Sequence, residues 1–309
     1  MTVLAILEPV SLLGEAVREA VSRRPGTWER IDLVTCDPQA VGSVTEIEGR
    51  AALVAGLDPD VIRQWDVVLS CGPDWDPDIA SSLPAHSRVI WLDPAEEIDD
   101  AIPVVADVNP QAALSTGRIT SPSAAVILIS RLLSSVSEMD RVSLVAHVLE
   151  PASSRGKAGL DELFEQTRSI LSMQDQRPET VFGTQLAFNL LPWTGSRIDR
   201  AAELCKVVGF PLSAQVHTSQ AAVFHCCAVA MYLDLEPDPG TEELREMLQA
   251  NPHIELWRQP EVLGPVATAT SDRILLGNIE PSPTGGYWIW ATMDNLTAAA
   301  RNAVDLALL

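Results

Sequence analysis

Val3-Leu4-Ala5-Ile6-Leu7, then Glu8-Pro9-Val10-Ser11, then Leu12-Leu13-Gly14-Glu15-Ala16-Val17-Arg18-Glu19-Ala20-Val21: this opening stretch decides the reading of the fold. Five unbroken apolar residues suit a strand covered on both faces. The apolar residues that follow recur at helical spacing. Working outward, residues 31–35, 66–70 and 88–92 are further short apolar strands separated by turn or helix signals. Strands alternating with helices predict a parallel, doubly wound sheet with a Rossmann-like start. Gly72-Pro73-Asp74-Trp75-Asp76-Pro77 then reads as a loop at the carboxyl end of a strand, the edge where such sheets bind ligands.

Beyond about residue 125 the pattern changes. A helix is expected over 125–135, a strand over 142–147 and a long helix over 160–173. Longer alternating runs at 212–218, 222–235, 273–279 and 287–292 predict a mostly antiparallel sheet, with a helix over 242–250 between them. A last helix over 294–309 has Asp294 as its N-cap and an apolar stripe through Leu296, Ala299, Ala303, Leu306 and Ala307. The second half is therefore α+β. Gln174 to Thr180 is the most linker-like polar stretch.

A chain of 309 residues with 47% hydrophobic content can fill two modest cores. Its formal net charge of −21 argues against nucleic acid or an anionic membrane as partner, since both call for a basic face. No apolar run reaches bilayer length, and no charged segment precedes the first strand, so neither a membrane helix nor a signal peptide is expected. The expected location is cytoplasmic. Five cysteines in such a chain read as free thiols, and His225-Cys226-Cys227 lacks a second ligand pair at metal-site spacing, so it reads as core strand. The two lysines, Lys157 and Lys206, fall in the segments that carry the resemblance described next.

Gly156-Lys157-Ala158-Gly159-Leu160-Asp161-Glu162-Leu163, Ala187-Phe188-Asn189-Leu190-Leu191-Pro192 and Asp294-Asn295-Leu296, in that order and at those separations, resemble the aspartate-semialdehyde dehydrogenase family. Glu203 and Lys206 match that family's Glu-x-x-Lys helix. The resemblance runs from the first strand to the last helix. It implies a Rossmann-like nucleotide-binding domain, residues 1–125 with 294–309, plus an α+β semialdehyde-dehydrogenase dimerisation domain, residues 126–293, with the last helix returning to the first domain.

The family's chemistry calls for a thiolate in an Asn-Pro-Asn-Cys segment at a helix start; here the segment is Ser121-Pro122-Ser123-Ala124. A methyl group cannot form a thioester, and Ser123 would need an adjacent base. The family's histidine aligns with His225, which reads as vestigial and as a core residue. The same register puts Thr218 on the carboxylate-binding arginine, with loss of bidentate recognition. Glu150 aligns with a substrate-side glutamine, a wrong-sign charge for an anionic substrate, and the following turn becomes Ser153-Ser154-Arg155-Gly156. The phosphate-binding arginine falls near Glu97. The glycine-rich dinucleotide loop becomes Glu8-Pro9-Val10-Ser11-Leu12-Leu13-Gly14, in which Ser11 and Gly14 are the remaining candidates. Glu8 is expected to put negative charge where phosphates lie, and Pro9 removes a donor.

These losses lead to the expectation of a non-catalytic homologue with a structural or regulatory dimer role and no bound cofactor. The partner is a second copy, another protein or an active paralogue. The alternative is an NAD- or NADP-dependent oxidoreductase on an aldehyde or acyl phosphate with altered chemistry. A third reading is a small-molecule sensor lined by Lys206, Glu203 and His225. Trp288 and Trp290, at alternate strand positions, mark either an interface or one core face.

Overall fold

A computed structural model describes residues 2–309 except 73–78, 80, 81, 175 and 270. The loop read at Gly72 to Pro77 lies outside the described residues beyond Gly72. The chain divides into two compact units, Met1–Ser123 with Ala299–Leu309, and Ala124–Ala298.

The first unit contains β1 (Val3–Leu7), β2 (Arg30–Thr35), β3 (Val44–Ile47), β4 (Arg50–Leu53), β5 (Ala55–Gly56), β6 (Val67–Ser70), β7 (Arg88–Leu92), β8 (Ile102–Pro103) and β9 (Arg118–Ser121). Seven of them form a sheet in the order β5-β2-β1-β6-β7-β9-β8, and every pairing in it is parallel. β3 and β4 form a separate antiparallel hairpin. The order reverses between β1 and β6, so the loops after these strands meet at the switch point of the sheet. One core layer packs Leu4, Ile6, Val17 and Val21 with Ala300, Ala303 and Val304 of the last helix. Asn302 locks that helix in place: its amide donates to Val104 O (3.0 Å) and Ser121 Oγ (2.8 Å), and its carbonyl accepts from Ala106 N (2.9 Å).

The second unit contains β10 (Arg141–Glu150), β11 (Leu190–Pro192), β12 (Leu212–Ala221), β13 (Cys227–Glu236), β14 (Ile254–Leu256), β15 (Ile274–Pro281) and β16 (Tyr287–Met293). Their order is β11-β12-β10-β13-β16-β15-β14, antiparallel except for the β10–β12 and β14–β15 pairs. Alternation assigns the faces. Leu144, Ala146 and Val148 of β10, Met231 and Leu233 of β13 and Ile289 of β16 are buried on the inner face, against which helices Ala124–Ser134 and Arg200–Val208 pack. The outer face carries His147, His217, Tyr232, Trp288 and Trp290, so the two tryptophans belong to an open face rather than a core.

One expected strand starts late. Residues 222–226 form a turn because their backbone bonds elsewhere: the carbonyls of Val223 and Phe224 accept from Ala152 N (2.7 Å) and Ser153 N (3.0 Å). Asn295 Oδ1 accepts from Cys226 N at 3.0 Å, and Cys226 has φ 71. His225 is consequently exposed on this turn, not a core residue as its apolar neighbours suggested.

Candidate functional site

In the first unit the switch-point loop is closed on itself. Glu8 takes φ 56, a left-handed conformation that favours glycine. Its N–H donates to Val34 O at 2.9 Å, and its carbonyl accepts from Ser11 N (3.1 Å) and Ser11 Oγ (2.8 Å). The carboxylate expected near the phosphate position has partners of its own. It reaches the end of β2, where Oε2 accepts from Thr35 Oγ1 (2.7 Å) and Oε1 from Cys36 N (2.6 Å). Ser11 is the N-cap of helix Leu12–Ser22 and accepts from Gly14 N at 3.0 Å. A Cβ on Gly14 would lie 2.2 Å from Glu8 O, so this glycine serves close helix–loop packing.

In the second unit Ala124 opens helix Ala124–Ser134 and is buried. Ser123 is buried as well, and Glu97 is exposed. No thiol takes the place of the missing nucleophile at 71, 205, 226 or 227. Burial is the first cause that pushes each of these four thiols up, away from the thiolate. Glu8 adds to it at Cys71, Asp199 at Cys205, and Asp294 at Cys226, which reaches about 12.

Glu150 ends β10 on the inner face and is paired with an internal cation. Asp199 caps helix Arg200–Val208 by accepting from Ala201 N (2.9 Å) and Ala202 N (3.2 Å), which fixes Arg200 at the first helical position. Arg200 Nη1 donates to Glu150 Oε1 at 2.5 Å, with side chains only 7% and 5% exposed. The guanidinium also lies 5.3 Å from the ring centroid of Trp193, whose other neighbour is the Arg155 guanidinium at 4.7 Å. Desolvation lowers the Arg155 pKa, offset by Glu150. Trp193 fits because the residue at 195 is glycine: a Cβ there would come within 2.1 Å of the indole. Gln220, opposite Glu150 in register, donates to the carbonyls of Glu150 and Pro151, both at 2.9 Å. Thr218 stands half-buried one inner position earlier on β12. Glu203 is buried and Lys206 exposed on helix Arg200–Val208. Sequence reading missed Arg200 and Trp193. The available signal was the acid at a buried strand end, which demands a cation.

The segments 156–163 and 187–192 meet in a clamp. The Glu162 carboxylate accepts from Val181 N (2.8 Å) and Phe182 N (3.1 Å). Gln166 Oε1 accepts from Leu186 N (2.7 Å) and Ala187 N (3.0 Å), while its amide donates to Pro178 O (2.7 Å) and Thr184 O (3.2 Å). Pro178, inside the stretch 174–180 read as a linker, is thereby tied to Gln166 within the second unit, and Asp175 lies outside the described residues. The clamp presents Phe188 at φ 61 and 68% exposed. Asn295 Oδ1 also accepts from Ser153 Oγ at 3.2 Å. An open cavity of about 450 Å³ lies on the outer face, lined by Trp257, Glu261, Leu263, Glu280, Trp288 and Trp290, and includes none of Glu203, Lys206 and His225.

Residues 132–298, more than half of the chain, match the family described as semialdehyde dehydrogenase, dimerisation domain. The chain belongs to the semialdehyde dehydrogenase family. Aspartate-semialdehyde dehydrogenase 2 of Vibrio cholerae is 25% identical over 98% of this chain and 96% of its own length. A USG-1 protein homolog of Azotobacter vinelandii is 25% identical over 98% and 96%. Among solved structures, aspartate semialdehyde dehydrogenase II from Vibrio cholerae superimposes with a TM-score of 0.87 at 23% identity, covering 99% of this chain and 97% of that one. A Candida albicans aspartate semialdehyde dehydrogenase solved with NADP gives a TM-score of 0.71 at 16% identity, covering 99% of this chain and 97% of that one. These two structures share the fold. Among the described residues no helix is long and apolar enough to cross a membrane, and no group of three or more metal-binding side chains occurs.

Proposed function

We propose that this member of the aspartate-semialdehyde dehydrogenase-like family is a non-catalytic cytoplasmic protein that acts as a homodimer in a structural or regulatory role. The observation that carries this reading is Ala124 at the helix start where the resembled enzymes have their nucleophile. Acyl transfer through a thioester has no sulfur there, and the thiols at 71, 205, 226 and 227 are held protonated. The Glu150–Arg200 pair adds to it, since it spends on an internal carboxylate a guanidinium that could have bound an external one.

The residues of the switch-point loop do not fit a dinucleotide. A pyrophosphate is held by backbone N–H groups at a helix start. Here Pro9 has none, Glu8 N and Ser11 N are bonded within the sheet and the loop, and the Glu8 carboxylate already sits on the donors at the end of β2.

The homodimer reading is supported by the outer sheet face. Two rows cross four strands, Gln215-Val145-Tyr232-Trp288 and His217-His147-Ala230-Trp290, without a carboxylate in a chain of net charge −21. Val145 is 47% and Trp288 51% exposed, so apolar surface is open where self-repulsion is least.

The test is an assay of the purified chain with aspartate semialdehyde, phosphate and NADP, alongside calorimetric titration with NAD and with NADP. The expected outcome is no NADPH formation and no binding heat. Turnover above background would sink the non-catalytic reading, and binding of either dinucleotide would favour an oxidoreductase of altered chemistry.

A further inference from the structure

We infer that the dimer formed through the outer sheet face is gated by proton uptake at His147 and His217. The inference rests on the dimer reading above and concerns its regulation. The two imidazoles stand opposite each other on parallel neighbours β10 and β12, ring centroids 5.1 Å apart and edge to face. Both are exposed in the single chain, and His147 Nε2 lies 3.0 Å from Ser219 Oγ.

Among the described residues no anion is placed to stabilise an imidazolium there. The charged groups on the same face are Arg141, Asp234 and Glu236, which pair with one another at 3.4 Å and 2.9 Å. Arg141 and its partner Glu236 lie six residues along the strand from His147, about 20 Å away, and Asp234, opposite Ser143, lies four residues along, about 14 Å away. Glu280 lies on β15, three strands over, about 14 Å away. β11 offers Leu190 and Pro192, β12 offers Ser213, Gln215 and Ser219, and β16 offers Trp288 and Trp290. Tyr232 on β13 is the other titratable neighbour, its hydroxyl donating to Gly285 O at 2.7 Å.

A two-fold dimer through this face contains the pair twice, because an isologous interface uses the same patch on both copies. Four imidazoles then leave water together. Two cations side by side repel, and burying either without a counter-ion is costly. Association therefore releases protons and weakens as pH falls through the range in which histidine titrates, between about pH 8 and 5. The rest of the molecule acts in the opposite sense. Acidification reduces the self-repulsion of a chain of net charge −21, which by itself tightens association. Weakening on acidification is thus a signature of the histidines.

Sedimentation velocity of the full chain at about pH 8, 7 and 6 and constant ionic strength, above the ordinary carboxylate range, reads the dissociation constant. The natural sequence should show a rise of at least about tenfold from pH 8 to pH 6, the equivalent of about half a proton displaced on average across those two pH units. The double variant His147→Gln/His217→Gln, checked for folding by circular dichroism, should show no rise. A flat or tightening response in the natural sequence overturns the inference while leaving the dimer standing, as does equal weakening in the double variant. A chain that is monomeric at pH 8 overturns the dimer reading itself and the inference with it.

Discussion

The two faces of the second unit's sheet have been treated in opposite ways. On the inner face, polar and charged groups are turned on one another: Glu150 meets Arg200, Gln220 caps two carbonyls, and Trp193 lies against two guanidiniums. On the outer face, across the same strands, Val145, His147, Tyr232 and Trp288 are left to solvent, with carboxylates at the margins of the patch: Asp234 and Glu236 toward one end of β13 and Glu280 opposite Trp288 on β15. A working pocket leaves donors and charges unsatisfied until its ligand arrives, whereas an interface leaves apolar area uncovered until its partner arrives. This sheet has the second property where it is open; at Glu150 the carboxylate itself is met by Arg200, while Gln220 Oε1 and Arg155 Nε beside it are buried without a hydrogen-bond partner.

The largest effect is expected from breaking the inner face. Arg200→Met leaves the Glu150 carboxylate buried without a cation, and removal of one partner of such a pair costs about 3–5 kcal/mol. Urea denaturation of the variant should show that loss. The double variant Glu150→Leu/Arg200→Met should recover most of it, because desolvation of the pair offsets much of its attraction. If the single variant were as stable as the natural chain, the pair would not be the closure of this face that its burial implies.

Next comes the clamp around Glu162 and Gln166. Glu162→Ala strands the N–H groups of Val181 and Phe182, for a cost of about 2–6 kcal/mol at about 1–3 kcal/mol per unsatisfied buried group. Hydrogen exchange should quicken across residues 176–189. Unchanged exchange there would mean that the segments carrying the family resemblance are not held by this carboxylate.

The outer face itself is broken by Trp288→Glu, which replaces a half-exposed apolar ring with a carboxylate directly beside Glu280, its register partner on β15. A central interface tryptophan carries about 2 kcal/mol or more, so the dimer constant should rise roughly 30-fold or more by sedimentation, with stability of the single chain nearly unaltered. A dimer indifferent to the change would place the interface on another surface.

How much of this was legible in sequence depended on the distance over which each signal acts. Alternation along β13 and β16, the helical spacing of residues 12–21 and the Asp294 cap are local, and each produced the expected element; Asp294 Oδ1 accepts from Leu296 N (3.1 Å) and Thr297 N (2.9 Å). Gly14 was readable because only its missing Cβ admits Glu8 O. The exposed turn at His225 was not, because the groups that hold it, Ala152 and Ser153, lie some seventy residues upstream. The same is true of Arg200, fifty residues from Glu150. Glu8 was half legible. A family glycine position announces a left-handed φ, but only the structure shows where the substituted carboxylate goes.

The smallest effect separates closed chemistry from open surface by pH. Cys71 and Cys227 are fully buried, and burial pushes both thiols up from their ordinary range. A group whose pKa is raised on folding gives its full stability below the unfolded value and loses it as pH climbs toward the folded one. The unfolded thiols ionise near pH 8.5–9 while the folded ones stay neutral, so each should remove roughly 1 kcal/mol of stability by about pH 9.5. Denaturation midpoints should therefore fall between about pH 8 and 9.5; Cys226, also raised, contributes in the same sense, so Cys227→Ala should flatten the slope by about a third, whatever it does to the value at neutral pH. Cys205, whose residue is exposed, should react with a thiol reagent in the native protein while Cys71 and Cys227 do not. Rapid native labelling of Cys227 would mean that the inner face opens to water, and with it the contrast between a filled face and a waiting one would fail.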